Sequence, residues 1–227
     1  MTSETARVSA FDRKTLDHAP DKLCSKIVAA RMIAPPERAL LVGVSGIDGS
    51  GKGFVVKRVD ERLGRLGWNV AAISADDWLN LPDVCMNAGN PAGHFYENAL
   101  RLDEMFERLI LPLKQNRAVD LVADCGDAKA IVHRKKRYFI RDVDILLLEG
   151  IFLFKLAYQD QFDLKIWIDC SFDIALQRAI ARGQEGLPPA ETKRAFETIY
   201  FPAQRLHFER DHPREIADVL FNNETTL

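Results

Sequence analysis

The chain has 227 residues, 47% hydrophobic and 28% charged, with a net charge of −2, which suits one sizeable core and excludes two comfortable ones. So even a balance leaves no general basic field, and nucleic acid is excluded as the main partner. No apolar run approaches membrane-spanning length, and the first residues, with Glu4, Arg7, Asp12 and Arg13, lack a signal-peptide core, so a cytoplasmic protein with no membrane partner is expected.

In chain order, residues 14–33 place Leu16, Leu23, Ile27, Ala30 and Met32 at an imperfect helical spacing that Pro35-Pro36 ends. They read as a helical extension, residues 1–37, packed on a domain of residues 38–227. Ala39 to Val44 is an apolar strand, and Gly46-Ile47-Asp48-Gly49-Ser50-Gly51-Lys52-Gly53 follows it. Phe54-Val55-Val56-Lys57-Arg58-Val59 then opens a helix. Strand, glycine loop and helix are the context that the phosphate-cradling pattern Gly-x-x-x-x-Gly-Lys requires. Loop N–H groups turn inward on an anion at a helix N-terminus, and Lys52 reaches the terminal phosphates. Gly53 stands where a Ser or Thr would offer magnesium a hydroxyl. A dinucleotide-binding reading fails on spacing, since Phe54 occupies the position of the third glycine.

Gly67 and Asn69 turn the chain into a short strand at Val70 to Ser74, which delivers Asp76 and Asp77 at its end. Residues 79–96, rich in Pro, Gly and Asn, read as a loop, a candidate lid or substrate flap that holds His94 and Tyr96. Leu102, Met105, Phe106, Leu109, Ile110 and Leu113 have helical spacing, and Val119 to Asp124 is the next strand. The run His133-Arg134-Lys135-Lys136-Arg137 reads as an exposed hairpin or helix start. Asp144 to Leu148 is a near-continuous apolar strand ending in Glu149-Gly150, and Leu164 to Asp169 is another. Residues 172–182 form a helix with Arg178 and Arg182 at i, i+4, and Gly183 and Gly186 lie beyond its end. A further helical stretch runs from Pro188-Pro189 to about Arg210, and Ala217 to Phe221 is a last strand. Alternating strands and helices imply an α/β fold, a mostly parallel sheet flanked by helices, with ligands at the carboxyl ends of the strands. Four scattered cysteines, Cys24, Cys85, Cys125 and Cys170, without a Cys-x-x-Cys pair, read as reduced thiols.

Asp76, Asp77 and Glu149 should therefore converge on the glycine loop. Phosphoryl transfer needs a bridging metal, a carboxylate that orients or deprotonates the attacking hydroxyl, and cations over the equatorial oxygens. Asp76 suits the base, Glu149 with Asp76 the Mg²⁺ site, Lys52, Arg178 and Arg182 the cations, and Asp77 a contact to the substrate.

These segments, taken in order over residues 39–222, resemble the uridine kinase and phosphoribulokinase family of P-loop kinases. The resemblance rests on the loop, on Ile-Ser-Ala-Asp-Asp-Trp (73–78), Leu-Leu-Leu-Glu-Gly-Ile-Phe (146–152), Lys-Ile-Trp-Ile-Asp (165–169) with its arginine helix, Pro202-Ala203-Gln204-Arg205-Leu206 and the ending Pro213 to Asn222. It implies a three-layer P-loop NTPase-type fold, ATP and Mg²⁺ as cofactors, Asp76 as catalytic base, Glu149 as magnesium carboxylate and Arg178 and Arg182 as lid arginines. Nucleoside members carry a Tyr-Asp and a His on the hairpin that reads the pyrimidine, whereas here Ala123-Asp124-Cys125-Gly126-Asp127-Ala128 stands. Asp124 and Asp127 suit the hydroxyls of a sugar or polyol instead. The expected function is ATP-dependent phosphorylation of a hydroxyl on a nucleoside, sugar or hydroxy-acid metabolite; the alternative is a nucleotide-binding regulator or inactive relative. The expected partner is that small-molecule acceptor, and the sequence leaves homo-oligomerisation open.

Overall fold

The computed structural model describes residues 21–86, 88–126, 132–183 and 186–224. Seven strands are present among them: β1 (Leu40–Gly46), β2 (Val70–Ser74), β3 (Val119–Cys125), β4 (Arg134–Ile140), β5 (Ile145–Gly150), β6 (Leu164–Asp169) and β7 (Val219–Asn222). The helices are α1 over 21–33, α2 (Lys52–Arg65), α3 (Pro82–Cys85), α4 (Pro91–Asn98) and α5. α5 runs as Leu102–Met105, a π turn Phe106–Ile110 and Leu111–Asn116. α6 is Phe172–Arg182, and α7 runs as Pro189–Ala195, a π turn Phe196–Tyr200 and Phe201–Asp211.

Five strands form an all-parallel sheet in the order β2-β5-β1-β6-β7. The central strands are the uninterrupted apolar runs, as burial on both faces demands. Alternate residues of these strands feed two cores. Leu40, Val42, Val44, Ile145 and Leu147 face α1 and α2, while Leu41, Leu146 and Leu148 face the aromatic-rich side packed by α4, α5 and α7. Gly43 lies on that second side, where a Cβ would stand 2.6 Å from the Phe162 ring and 2.7 Å from Phe154. Its missing side chain makes the space in which those rings meet edge to face, 5.4 Å apart.

A helix as short as α1 is marginal alone in water. Burying Leu23, Cys24 and Ile27 against the α2 side holds it, at roughly 2 kcal/mol for each large apolar side chain.

Two expectations are corrected. Residues 79–96 are not one irregular loop, because Pro82 and Pro91 occupy first-turn positions of α3 and α4, and the Asn90 side chain caps α4 by accepting from Gly93 N–H at 3.0 Å. Pro and Asn were acting there as helix-start signals. β3 also lies outside the main sheet. It pairs antiparallel with β4, so the basic run is the second strand of a hairpin. Among the described residues no helix is long and apolar enough to cross a membrane.

Candidate active site

β1 ends in the glycine loop, whose Gly49 and Gly51 have φ of 77° and 90°, a region closed to most side chains. Such turns at the start of a helix aim backbone N–H groups at a common point. Lys52 opens α2, is only 8% exposed, and donates from Nζ to the carbonyls of Gly46 and Ile47 at 3.2 and 3.0 Å. Its ammonium is thereby held over the loop. From behind, the Ser50 carbonyl accepts from Arg178 Nη1 at 3.2 Å and from Asn223 Nδ2 at 2.7 Å. Arg178 Nη2 also donates to the Asn223 carbonyl at 2.8 Å. Arg178, expected over the transferred phosphate, thus grips the loop backbone. Arg182 ends α6 with its side chain exposed.

The carboxylates arrive as the sheet dictates. Parallel register pairs Val44 and Ser74 with Glu149 from either side, so the ends of β1, β2 and β5 lie together. Ser74 Oγ donates to Glu149 Oε1 at 2.6 Å and accepts from the Asp76 N–H at 3.3 Å. Asp76 itself is exposed on the 3₁₀ turn Ala75–Trp78. Burial pushes the Glu149 carboxyl up from its ordinary value; Lys52 opposes this, Asp76 adds to it, the Ser74 hydrogen bond opposes it and Asp48 adds again. The four charged groups therefore share one field. A Cβ added at Gly53 would meet nothing nearer than Glu149 Oε1 at 4.0 Å, so position 53 looks straight at that carboxylate.

Because its folded pKa is raised, ionised Glu149 costs stability above the unfolded carboxylate value, and the cost vanishes at low pH where both states are protonated. Glu149→Gln keeps the acceptor for Ser74 and removes the charge. In the presence of a chelator the variant should melt higher than the parent at neutral pH, with a gap that closes on acidification. Thermal scans at several pH values check this, and a lower melting point at neutral pH would contradict it.

The remaining expected substrate residues separate. Asp77 is committed to the hairpin: its carboxylate accepts from Lys136 Nζ at 2.5 Å and Tyr138 Oη at 3.2 Å, and its carbonyl accepts from Gly126 N–H at 3.0 Å. Asp124 is half-buried and ion-paired with Lys135 at 2.8 Å, and that hydrogen bond lowers its pKa. Asp127 lies outside the described residues. His94 Nε2 lies 2.7 Å from the Val84 carbonyl and so ties α4 to α3. Tyr96, expected at the substrate, faces the interior. It is 5% exposed and its hydroxyl donates at 2.6 Å to the buried Asp211, a satisfied interior group. Phe54 is 58% exposed beneath the Arg58 guanidinium, 5.1 Å from the ring centre. Sequence reasoning missed Ser74, which its place just before Ala-Asp-Asp could have flagged, and Asn223, for which no local signal exists.

A model of the Phosphoribulokinase / Uridine kinase family matches residues 41–186. A uridine kinase of Alkaliphilus metalliredigens (strain QYMF) is 30% identical over 156 residues, 65% of this chain and 70% of that protein. A uridine kinase of Saccharomyces cerevisiae is 28% identical over 189 residues, 80% of this chain but 35% of that protein. One from Limosilactobacillus reuteri (strain DSM 20016) is 26% identical, with the match spanning 64% of this chain and 66% of that protein. Among solved structures, a possible uridine kinase from Bacillus stearothermophilus superposes with a TM-score of 0.71 at 22% identity, covering 91% of this chain and 99% of that one. A D-glycerate 3-kinase from Cryptococcus neoformans does so with a TM-score of 0.60 at 14% identity, covering 85% and 88%. At such identities the superpositions speak for the shared P-loop kinase fold. The chain belongs to the phosphoribulokinase and uridine kinase family.

Proposed function

We propose that this family member is an ATP-dependent kinase that transfers the terminal phosphoryl group to a hydroxyl of a small molecule, a nucleoside, a sugar or a hydroxy acid. One observation supports the reading most: Ser74 Oγ bridges Glu149 Oε1, at 2.6 Å, and the Asp76 N–H, at 3.3 Å, where the ends of β1, β2 and β5 lie together beside the glycine loop. Family membership supports the reaction class.

The residues present fit Mg²⁺ with ATP. The left-handed loop glycines leave the backbone bare for phosphate, and Glu149 and Asp76 would hold the ion beside it. Among the described residues no three His, Cys, Asp or Glu side chains form a metal cluster, and magnesium seated by one or two carboxylates plus phosphate needs none. Bound there, Mg²⁺ would neutralise charge on the last two phosphates. The chain does the rest. Loop N–H groups and the α2 N-terminus bind phosphate oxygens. Lys52, pinned by two carbonyls, supplies a cation that need not reorganise. Asp76, exposed at the turn, orients the acceptor hydroxyl and takes its proton. Asp77, held by Lys136 and Tyr138, fixes the hairpin against that turn.

The test is a screen of nucleoside, pentose, polyol and hydroxy-acid acceptors, following ATP to ADP with Mg²⁺ or Mn²⁺. Turnover with none of them would favour the second reading, a nucleotide-binding regulator, which Gly53 supports by withholding the metal hydroxyl. Gly53→Ser tests the metal side of the site. The Cβ has room, and Ser costs no more than Gly early in a helix. A hydroxyl facing Glu149 should lower the Mg²⁺ concentration for half-maximal ATP binding; a titration curve that stays put or moves to higher metal would mean the site is organised otherwise.

A further inference from the structure

The buried face of the last part of α7, Phe201–Asp211, carries three polar side chains, Gln204, His207 and Asp211, each at most 3% exposed. Asp211 is fully used. It accepts from Tyr96 Oη and His207 Nδ1 at 2.6 Å each and from Leu156 N–H at 2.9 Å. Gln204 reaches the other way. Its Nε2 donates at 2.7 Å to Oδ2 of Asp48 in the phosphate loop, while its Oε1 has no hydrogen-bond partner. A carboxylate only accepts, so the amide nitrogen must face Asp48 and the amide orientation is fixed.

An acceptor left unmet in the interior is a cost that an apolar side chain of the same length would avoid. Stability alone therefore does not account for Gln204, whereas the contact to the loop does. Asp48 and Lys52 are the two charged residues of the 46–53 loop. A carboxylate there repels an incoming triphosphate unless it is held aside and partly compensated, and a neutral donor does both without cancelling the cation at Lys52.

We infer that Gln204 is a positioning residue for the nucleotide: through Asp48 it fastens the phosphate loop to α7 in the conformation that receives a triphosphate. This rests on the proposed binding of ATP at the loop. Three variants test it, each measured for ATP affinity by calorimetry and for melting temperature. Gln204→Met keeps the volume, removes the donor and also removes the unmet acceptor, so it should melt no lower than the parent yet bind ATP about tenfold more weakly. Gln204→Glu sets two carboxylates against each other and should bind more weakly still. Adding Asp48→Asn to Gln204→Glu exchanges donor and acceptor, and should return affinity to within about threefold of the parent.

Recovery in the double variant, with a melting point that does not track affinity, supports the assignment. It is overturned if Gln204→Met binds ATP as the parent does, or if affinity falls only in step with melting temperature. A parent that binds no ATP overturns the proposed function as well, and so marks that failure apart.

Discussion

Asp76→Asn should cut turnover by about 10²- to 10⁴-fold, the usual weight of general-base catalysis, while ATP affinity stays within a few-fold. The substitution is nearly isosteric, and the Asp76 N–H keeps its bond to Ser74 Oγ, so the 3₁₀ turn should persist. What is lost is the proposed proton acceptor at an exposed position of that turn. Removing this charge also removes one of the influences that raise Glu149, so the remaining carboxylate ionises more readily and ATP binding has no electrostatic reason to collapse. Steady-state turnover set beside calorimetric ATP affinity checks the split. If the variant turned over within about tenfold of the parent, the hydroxyl would be deprotonated by another group and Asp76 would be a metal ligand only.

Legibility in the sequence follows the range of the interaction. The loop, Lys52 and the strands ending at Asp76 and Glu149 were readable because each is a local pattern. Fully buried parallel strands must be continuous apolar runs, and their carboxyl ends must lie together, so two acids at strand ends imply one site. Across 79–96 the same residues serve either as breakers or as helix starts, and in the fold Pro82, Pro91 and Asn90 start helices. Periodicity could not show that β3 pairs only with β4, because alternation is the same in either sheet. The grips on the loop were illegible for a different reason. Gln204 meets Asp48 across 156 positions and Asn223 meets Ser50 across 173, so no sequence window contains both partners. Arg178 reads from the sequence as a lid cation over the phosphate, but helix spacing says nothing of whether a guanidinium ends on phosphate or on a carbonyl.

Lys52→Ala should weaken ATP binding by about ten- to a hundredfold, since a charge-assisted hydrogen bond contributes roughly 1.5–3 kcal/mol. Backbone N–H groups compensate phosphate charge only in part, and the ammonium lies at the loop already anchored to Gly46 and Ile47, so little ordering cost offsets its contribution. The loss has a second component. Lys52 is the main influence holding the Glu149 carboxyl down against burial, so without it that carboxyl rises further and is protonated over more of the accessible pH range. A protonated Glu149 is a poorer partner for Mg²⁺. The deficit should therefore be greater at lower pH and shrink, without vanishing, as the pH rises and Glu149 ionises. Calorimetric titration of ATP in excess Mg²⁺ across pH from about 6 to about 9 separates the two components. A pH-independent deficit would assign the whole effect to phosphate contact, whereas equal affinity in variant and parent would remove Lys52, and with it the phosphate loop, from nucleotide binding.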